Sequence, residues 1–186
     1  MADNLRNIVV AYDGSTWSDL AVRRALNLAK GSPFCIVHVM CVVESTGDDY
    51  VLPSGIRLSR WAALDAVRHI VRDLVDSLGI ADPHVRIVAH LRSGPPAQCI
   101  VDFAYRYHAD LVILGAKGST QASGVPVVGS VARKVLQLSS VPVYLEGTTL
   151  GFESPRAERE VARWVAIEDQ QPSYFAAPAP PSLRPS

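Results

Sequence analysis

The chain has 186 residues, 48% hydrophobic and 19% charged, with 18 basic side chains against 18 acidic ones. That length accommodates one ordinary domain with a substantial core, plus a tail. The balanced charge lacks the basic excess that nucleic acid or an anionic membrane would favour, so neither is expected as a partner.

The polar opening MADNLRN runs directly into a strand, and no secretory leader is expected. NIVVAY (Asn7–Tyr12) is short, apolar and β-branched, the pattern of a buried strand. A helix follows: Ser15 or Thr16 can cap it, Trp17, Ala21, Ala25 and Leu28 recur at helical spacing, and Gly31 ends it. FCIVHVMCVV (Phe34–Val43) is a second buried strand, far short of the roughly 20 residues that cross a bilayer. Its Cys35 and Cys41 would lie roughly 20 Å apart along an extended strand, too far for a disulfide. No CxxC is present, so these thiols and Cys99 are expected to be reduced, in a cytoplasmic protein.

A loop with Gly47, Pro53 and Gly55 leads to a long helix over 58–78. There Leu64, Val67, Val71, Leu74 and Leu78 form one stripe opposite Asp65, Arg68, Arg72 and Asp76, and Gly79 stops it. HVRIVAHL (His84–Leu91) is a third strand, and Ser93, Pro95 and Pro96 start a helix with Ile100, Val101 and Ala104 facing inward. DLVIL (Asp110–Leu114) is a fourth strand. GAKGSTQASGVPVVGS joins it to the helical VARKVLQLSS, and VPVYLE (Val141–Glu146) is the fifth.

This alternation predicts an α/β fold: an open, doubly wound three-layer sandwich around a five-stranded, mainly parallel sheet. Residues 1–147 form that domain. Residues 148–169 are an extension in which Ser154 can cap a short helix, with Pro155 at its first position and Ala157, Val161, Trp164 and Val165 as an apolar stripe. Residues 170–186 are proline-rich and read as a disordered tail.

Ligands of doubly wound sheets sit beyond the carboxyl ends of the strands, where strand order reverses. The glycine-rich stretch leaves the fourth strand on that edge. Backbone amides of such a turn, with the dipole of the helix that follows, hold phosphate without a cationic side chain. Gly115 and Gly118 bracket the turn, Gly129 and Ser130 open the helix, Ser130 adds a hydroxyl and Lys117 a mobile charge. The alternative is a flexible turn and nothing more. The stretch is neither a Walker A loop, since Lys117 precedes Gly118, nor a GxGxxG fingerprint. Asp13, after the first strand, either accepts from a ribose or base or serves as a turn and cap residue.

No catalytic residue is assigned. The histidines show no metal-ligand spacing, and no metal site is expected. His38 reads as a packed core residue, and Phe103, Tyr105 and Tyr107 as core and rim positions of a helix. A GxSxG elbow is absent.

NIVVAYDGSTWSDLAVRRALNLA, IVHV, SGPPAQCIVDFAYRYHADLVILGAKG and VGSVARKVLQLSSVPVYL together resemble the universal stress protein family, from Asn7 to Glu146. The resemblance implies a Rossmann-like fold of the adenine nucleotide alpha hydrolase type and a homodimer paired through the last strand, Val141–Glu146. One branch of that family binds ATP through G-x2-G-x9-G-[ST], and the other does not. By resemblance, Asp13 faces the nucleotide and Val39 borders the base. Gly115, Gly118, Gly129 and Ser130 match the motif, and the amides of Val131 and Ala132 join the phosphate site. The chain departs from the pattern: ten residues, Ser119 to Val128, separate Gly118 from Gly129, and Ala116 stands where a hydroxyl residue is frequent. One extra loop residue can bulge outward without moving the ends, so the site is expected to survive.

The expected function is a stress-response regulator that binds ATP, with magnesium, as a homodimer and is not an enzyme. A member of the non-binding branch acting by protein contacts, or a slow ATPase, are the alternatives. The ATPase finds only Asp13 as an acidic group near the loop.

Overall fold

A computed structural model of the chain describes residues 5–30, 32, 34–46, 49–51, 57–79, 84–117, 128–147 and 173–175. The β-branched run at the start forms strand β1 (Asn7–Ala11), with Ile8, Val9 and Val10 wholly buried. Helix α1 (Thr16–Ala29) follows, capped by Ser15, whose hydroxyl accepts from the Ser18 amide at 3.2 Å. Strand β2 (Ile36–Thr46) runs three residues past its predicted end. It folds back antiparallel onto β3 (Asp49–Val51), which pairs with β4 (Arg57–Ser59). The sequence reading placed only a loop there. Helix α2 (Arg60–Leu78) then ends at Gly79, whose φ of 60° is the left-handed conformation that glycine adopts without strain.

Strand β5 (Arg86–Ser93) leads to helix α3 (Pro96–Arg106), and β6 (Leu111–Gly115) precedes α4 (Ser130–Leu138) and β7 (Val143–Glu146). The parallel part of the sheet has the order β5-β2-β1-β6-β7, so strand order reverses between β1 and β6. These are the five strands and the doubly wound sandwich that the sequence predicts. Within the proline-rich tail of residues 170–186, Ser173–Phe175 form β8, antiparallel to β5. The helix expected over 154–165 lies outside the described residues.

Alternation along the strands splits the core into two layers. Ile8, Val10, Val37, Val39, Ala89 and Ile113 face α1 and α2 together with Leu64, Val67 and Val71. Val9, Met40, Val112 and Leu114 face the opposite way, onto Ala97, Ile100, Phe103 and Ala104 of α3 and Val135 of α4. Each fully buried aliphatic side chain contributes about 1.5–3 kcal/mol of transfer free energy. Cys35 and Cys41 are buried and all three cysteines are free. Burial pushes the Cys35 thiol up to about 11 and that of Cys41 higher still. Both are inert small hydrophobes, while Cys99 is only partly buried.

Candidate functional site

The reversal point is where β1 and β6 lie side by side and their helices leave on opposite faces of the sheet, α1 on one and α4 on the other. After β1 the chain turns through Asp13 and Gly14, whose φ of 75° favours glycine. The Asp13 carboxylate accepts from the Ser15 amide at 3.0 Å, fixing the turn. After β6, Gly115 packs against the first turn of α1. A Cβ on Gly115 would stand 2.7 Å from the Cβ of Trp17 and 3.0 Å from its carbonyl carbon.

Ala116 ties the two ends of the glycine-rich loop to the sheet. Its amide donates to the carbonyl of Glu146 at 2.8 Å, and its carbonyl accepts from the amide of Gly129 at 2.8 Å. The Glu146 side chain in turn holds Arg24 of α1 at 2.8 Å. Gly129 caps α4 in an extended conformation, φ −57° and ψ 152°, and no side chain caps that helix. The first turn of any α-helix leaves its leading amides without intrahelical acceptors. Here those are the amides of Ser130, Val131 and Ala132, because the first intrahelical bond is Arg133 N–H to the carbonyl of Gly129.

These pieces surround a cleft of about 250 Å³. Asp13, Gly115, Lys117, Gly129, Ser130, Val131 and Ala132 all line it, as do Ala11, Tyr12, Ser18, Met40, Val42, Pro96, Ile100 and Leu114. Seven of the candidate residues therefore meet at one place. Gly118 lies outside the described residues. Val39 is not among the residues that line the cleft: its side chain is wholly buried in the layer under α1 and α2, and Met40 and Val42 wall the cleft. Alternation decides this, since neighbours on a strand face opposite sides. The cleft thus joins an apolar wall of Met40, Val42, Ile100 and Leu114 to a helix N-terminus that attracts anions.

Sequence reasoning missed that apolar wall, although the period-2 pattern of the second strand could have named Met40 and Val42. It also missed a contact behind the wall. His38 Nδ1 and His90 Nε2 lie 2.9 Å apart, both rings buried against Phe103 and Tyr107. Burial holds His38 down at about 4 and His90, with the His38 and Arg92 charges adding to burial, at about 3. His38 is the core residue expected; its partner was not foreseen. Among the described residues no three His, Cys, Asp or Glu side chains gather as a metal site would need.

The model of the universal stress protein family matches residues 4–145. The chain belongs to that family. Universal stress protein MJ0531 of Methanocaldococcus jannaschii is 29% identical over 146 residues, covering 74% of this chain and 79% of the relative. Among solved structures, a universal stress protein in complex with cAMP superposes with a TM-score of 0.56 at 22% identity, over 79% of this chain and all of the other. One from Archaeoglobus fulgidus in complex with dAMP gives a TM-score of 0.51 at 22% identity, over 77% of this chain and 99% of the other. These likenesses establish the Rossmann-like fold. Among the described residues of this universal stress protein, no helix is long and apolar enough to cross a membrane.

Proposed function

We propose that this universal stress protein binds an adenine nucleotide, ATP in particular, in the cleft at the β1–β6 reversal, and acts as a homodimeric regulator in the stress response. One observation carries the reading: an apolar wall suited to a base and the uncapped first turn of α4, suited to phosphate, line one and the same cleft. The two adenine nucleotides in the similar solved structures support the same ligand class.

In this reading Met40, Val42, Ile100 and Leu114 exclude water from the base. The amides of Ser130, Val131 and Ala132 and the Ser130 hydroxyl donate to phosphate oxygens, and Asp13 stands at the ribose side of the turn. Magnesium would arrive with the phosphates, as it commonly does where protein carboxylates are few. Asp13 is the one carboxylate among the described lining residues, and its Oδ1 accepts from the Ser15 amide. A single carboxylate, with no histidine or second carboxylate beside it among the described lining residues, favours binding over turnover. Attack by water calls for a general base and further groups to hold the transferred phosphoryl.

The homodimer reading rests on β7, which pairs with β6 alone among the described strands and so presents an open edge. Calorimetric titration of ATP and magnesium into nucleotide-free protein tests the ligand. Micromolar binding is expected, and no heat with no thermal stabilisation at millimolar ATP would overturn it. A monomeric mass at micromolar protein concentration would overturn the dimer.

A further inference from the structure

Lys117 lines the cleft, yet its ammonium stands 5.8 Å from the centroid of the Trp17 ring. Trp17 is not among the residues that line the cleft. The indole is a built perch: its own backbone and Cβ abut Gly115, which has room for them only because it lacks a side chain. A lysine held over an aromatic face at a partly exposed site is held weakly. An anion that reaches it makes a stronger, charge-assisted hydrogen bond and draws it away.

Two anion-attracting elements therefore border one cleft, and they differ in kind. The first turn of α4 is fixed backbone beside the apolar wall. Lys117 is a mobile point charge at the rim, on the side of α1. Were a nucleotide seated on the wall as proposed above, a single phosphate would meet the fixed element, and a longer tail would have the reach to meet the lysine as well.

We infer that Lys117 is a specificity residue that sets how many phosphates the cleft prefers, perched on Trp17 until a polyphosphate tail takes it off. This rests on the nucleotide reading above. Trp17 contributes by positioning the free ammonium, and it reports the exchange, because the indole loses the cation when the tail binds.

The test is calorimetric titration of AMP and of ATP into the full chain and into Lys117→Ala. A control series carries Trp61→Phe and Trp164→Phe, leaving Trp17 as the sole tryptophan. The wild type is expected to prefer ATP over AMP, and Lys117→Ala to lower that ratio about tenfold, the scale of one charge-assisted contact. Trp17 emission should change on saturation with ATP and remain still when Lys117→Ala is added to the control series. An ATP-over-AMP ratio unaltered by Lys117→Ala overturns the inference while leaving nucleotide binding in place. So does a Trp17 response that persists without the lysine. If the wild type binds neither nucleotide, the functional reading falls, and this inference with it.

Discussion

The carbonyl of Ala116 and the amide of Gly129 are joined by a 2.8 Å hydrogen bond across the mouth of the glycine-rich loop. The bond closes the loop on itself, so its length and the position of its ends are separate matters. Ten residues stand between Gly118 and Gly129, where the family motif has nine. Deleting Ala122 restores the family count without touching either end. The shortened variant is expected to bind ATP within about threefold of the parent, less than 1 kcal/mol. A calorimetric affinity changed by more than tenfold would show that the loop length itself shapes the site.

Gly129 combines two properties that make it a sharp probe. Its backbone, at φ −57° and ψ 152°, suits any residue. It also lines the cleft. Gly129→Val is therefore expected to fold and melt near the parent while ATP affinity drops on the order of 100-fold, about 2.7 kcal/mol. Melting by circular dichroism and titration by calorimetry separate the two effects. Undiminished affinity in a folded variant would remove Gly129 from the phosphate site.

Gly115 makes the opposite case. The atoms nearest an added Cβ are the Trp17 Cβ at 2.7 Å, the Lys117 carbonyl oxygen at 3.0 Å and the Trp17 carbonyl carbon at 3.0 Å. Two of the three are backbone, so no change of rotamer relieves the overlap. Gly115→Ala should destabilise by about 1–3 kcal/mol, the usual cost of overpacking. Urea melts will measure it, and a midpoint equal to the parent's would show that α1 can yield. The same glycine that reads as part of a phosphate motif is thus also required for the packing of α1 on β6.

The sequence made the scaffold legible because its five parallel strands are continuous apolar runs and its helices carry stripes and stops. Strand bounds moved by a few residues, which leaves the order and the reversal point intact. What escaped was whatever depends on register. Val39 and Met40 are adjacent in sequence, but only the orientation of β2 in the sheet says which of them faces the cleft. His38 and His90 meet because Met40 stands beside His90 across β2 and β5, a pairing no local pattern specifies. The β3–β4 hairpin was missed for another reason. Its strands are three residues each, too short to show a period, and they form as an extension of β2.

The buried histidine pair makes the fold sensitive to acid. Imidazoles in the unfolded chain titrate near 6.5, whereas His38 titrates at about 4 and His90 at about 3 in the folded protein. As pH falls below about 6.5, the unfolded chain takes up protons that the folded chain refuses. Stability is therefore full above that pH and is lost progressively as pH falls from there toward 4. Each histidine contributes a slope of about 1.4 kcal/mol per pH unit while the unfolded form alone is protonated. Of the groups around the pair, Asn7 Oδ1, 3.3 Å from His38 Nε2, is an acceptor that favours a charged ring, but burial against Phe103 and Tyr107 outweighs it, and Arg92, over the Phe103 ring, opposes a further positive charge. Replacing both rings together, as His38→Leu with His90→Leu, removes the hydrogen bond and both titrating groups at once, which costs far less than stranding one partner. Urea denaturation between pH 7.5 and 4.5 should show a steep fall for the parent and a flatter line for the double variant. Parallel lines would assign the acid loss to other groups and leave the pair as packing alone.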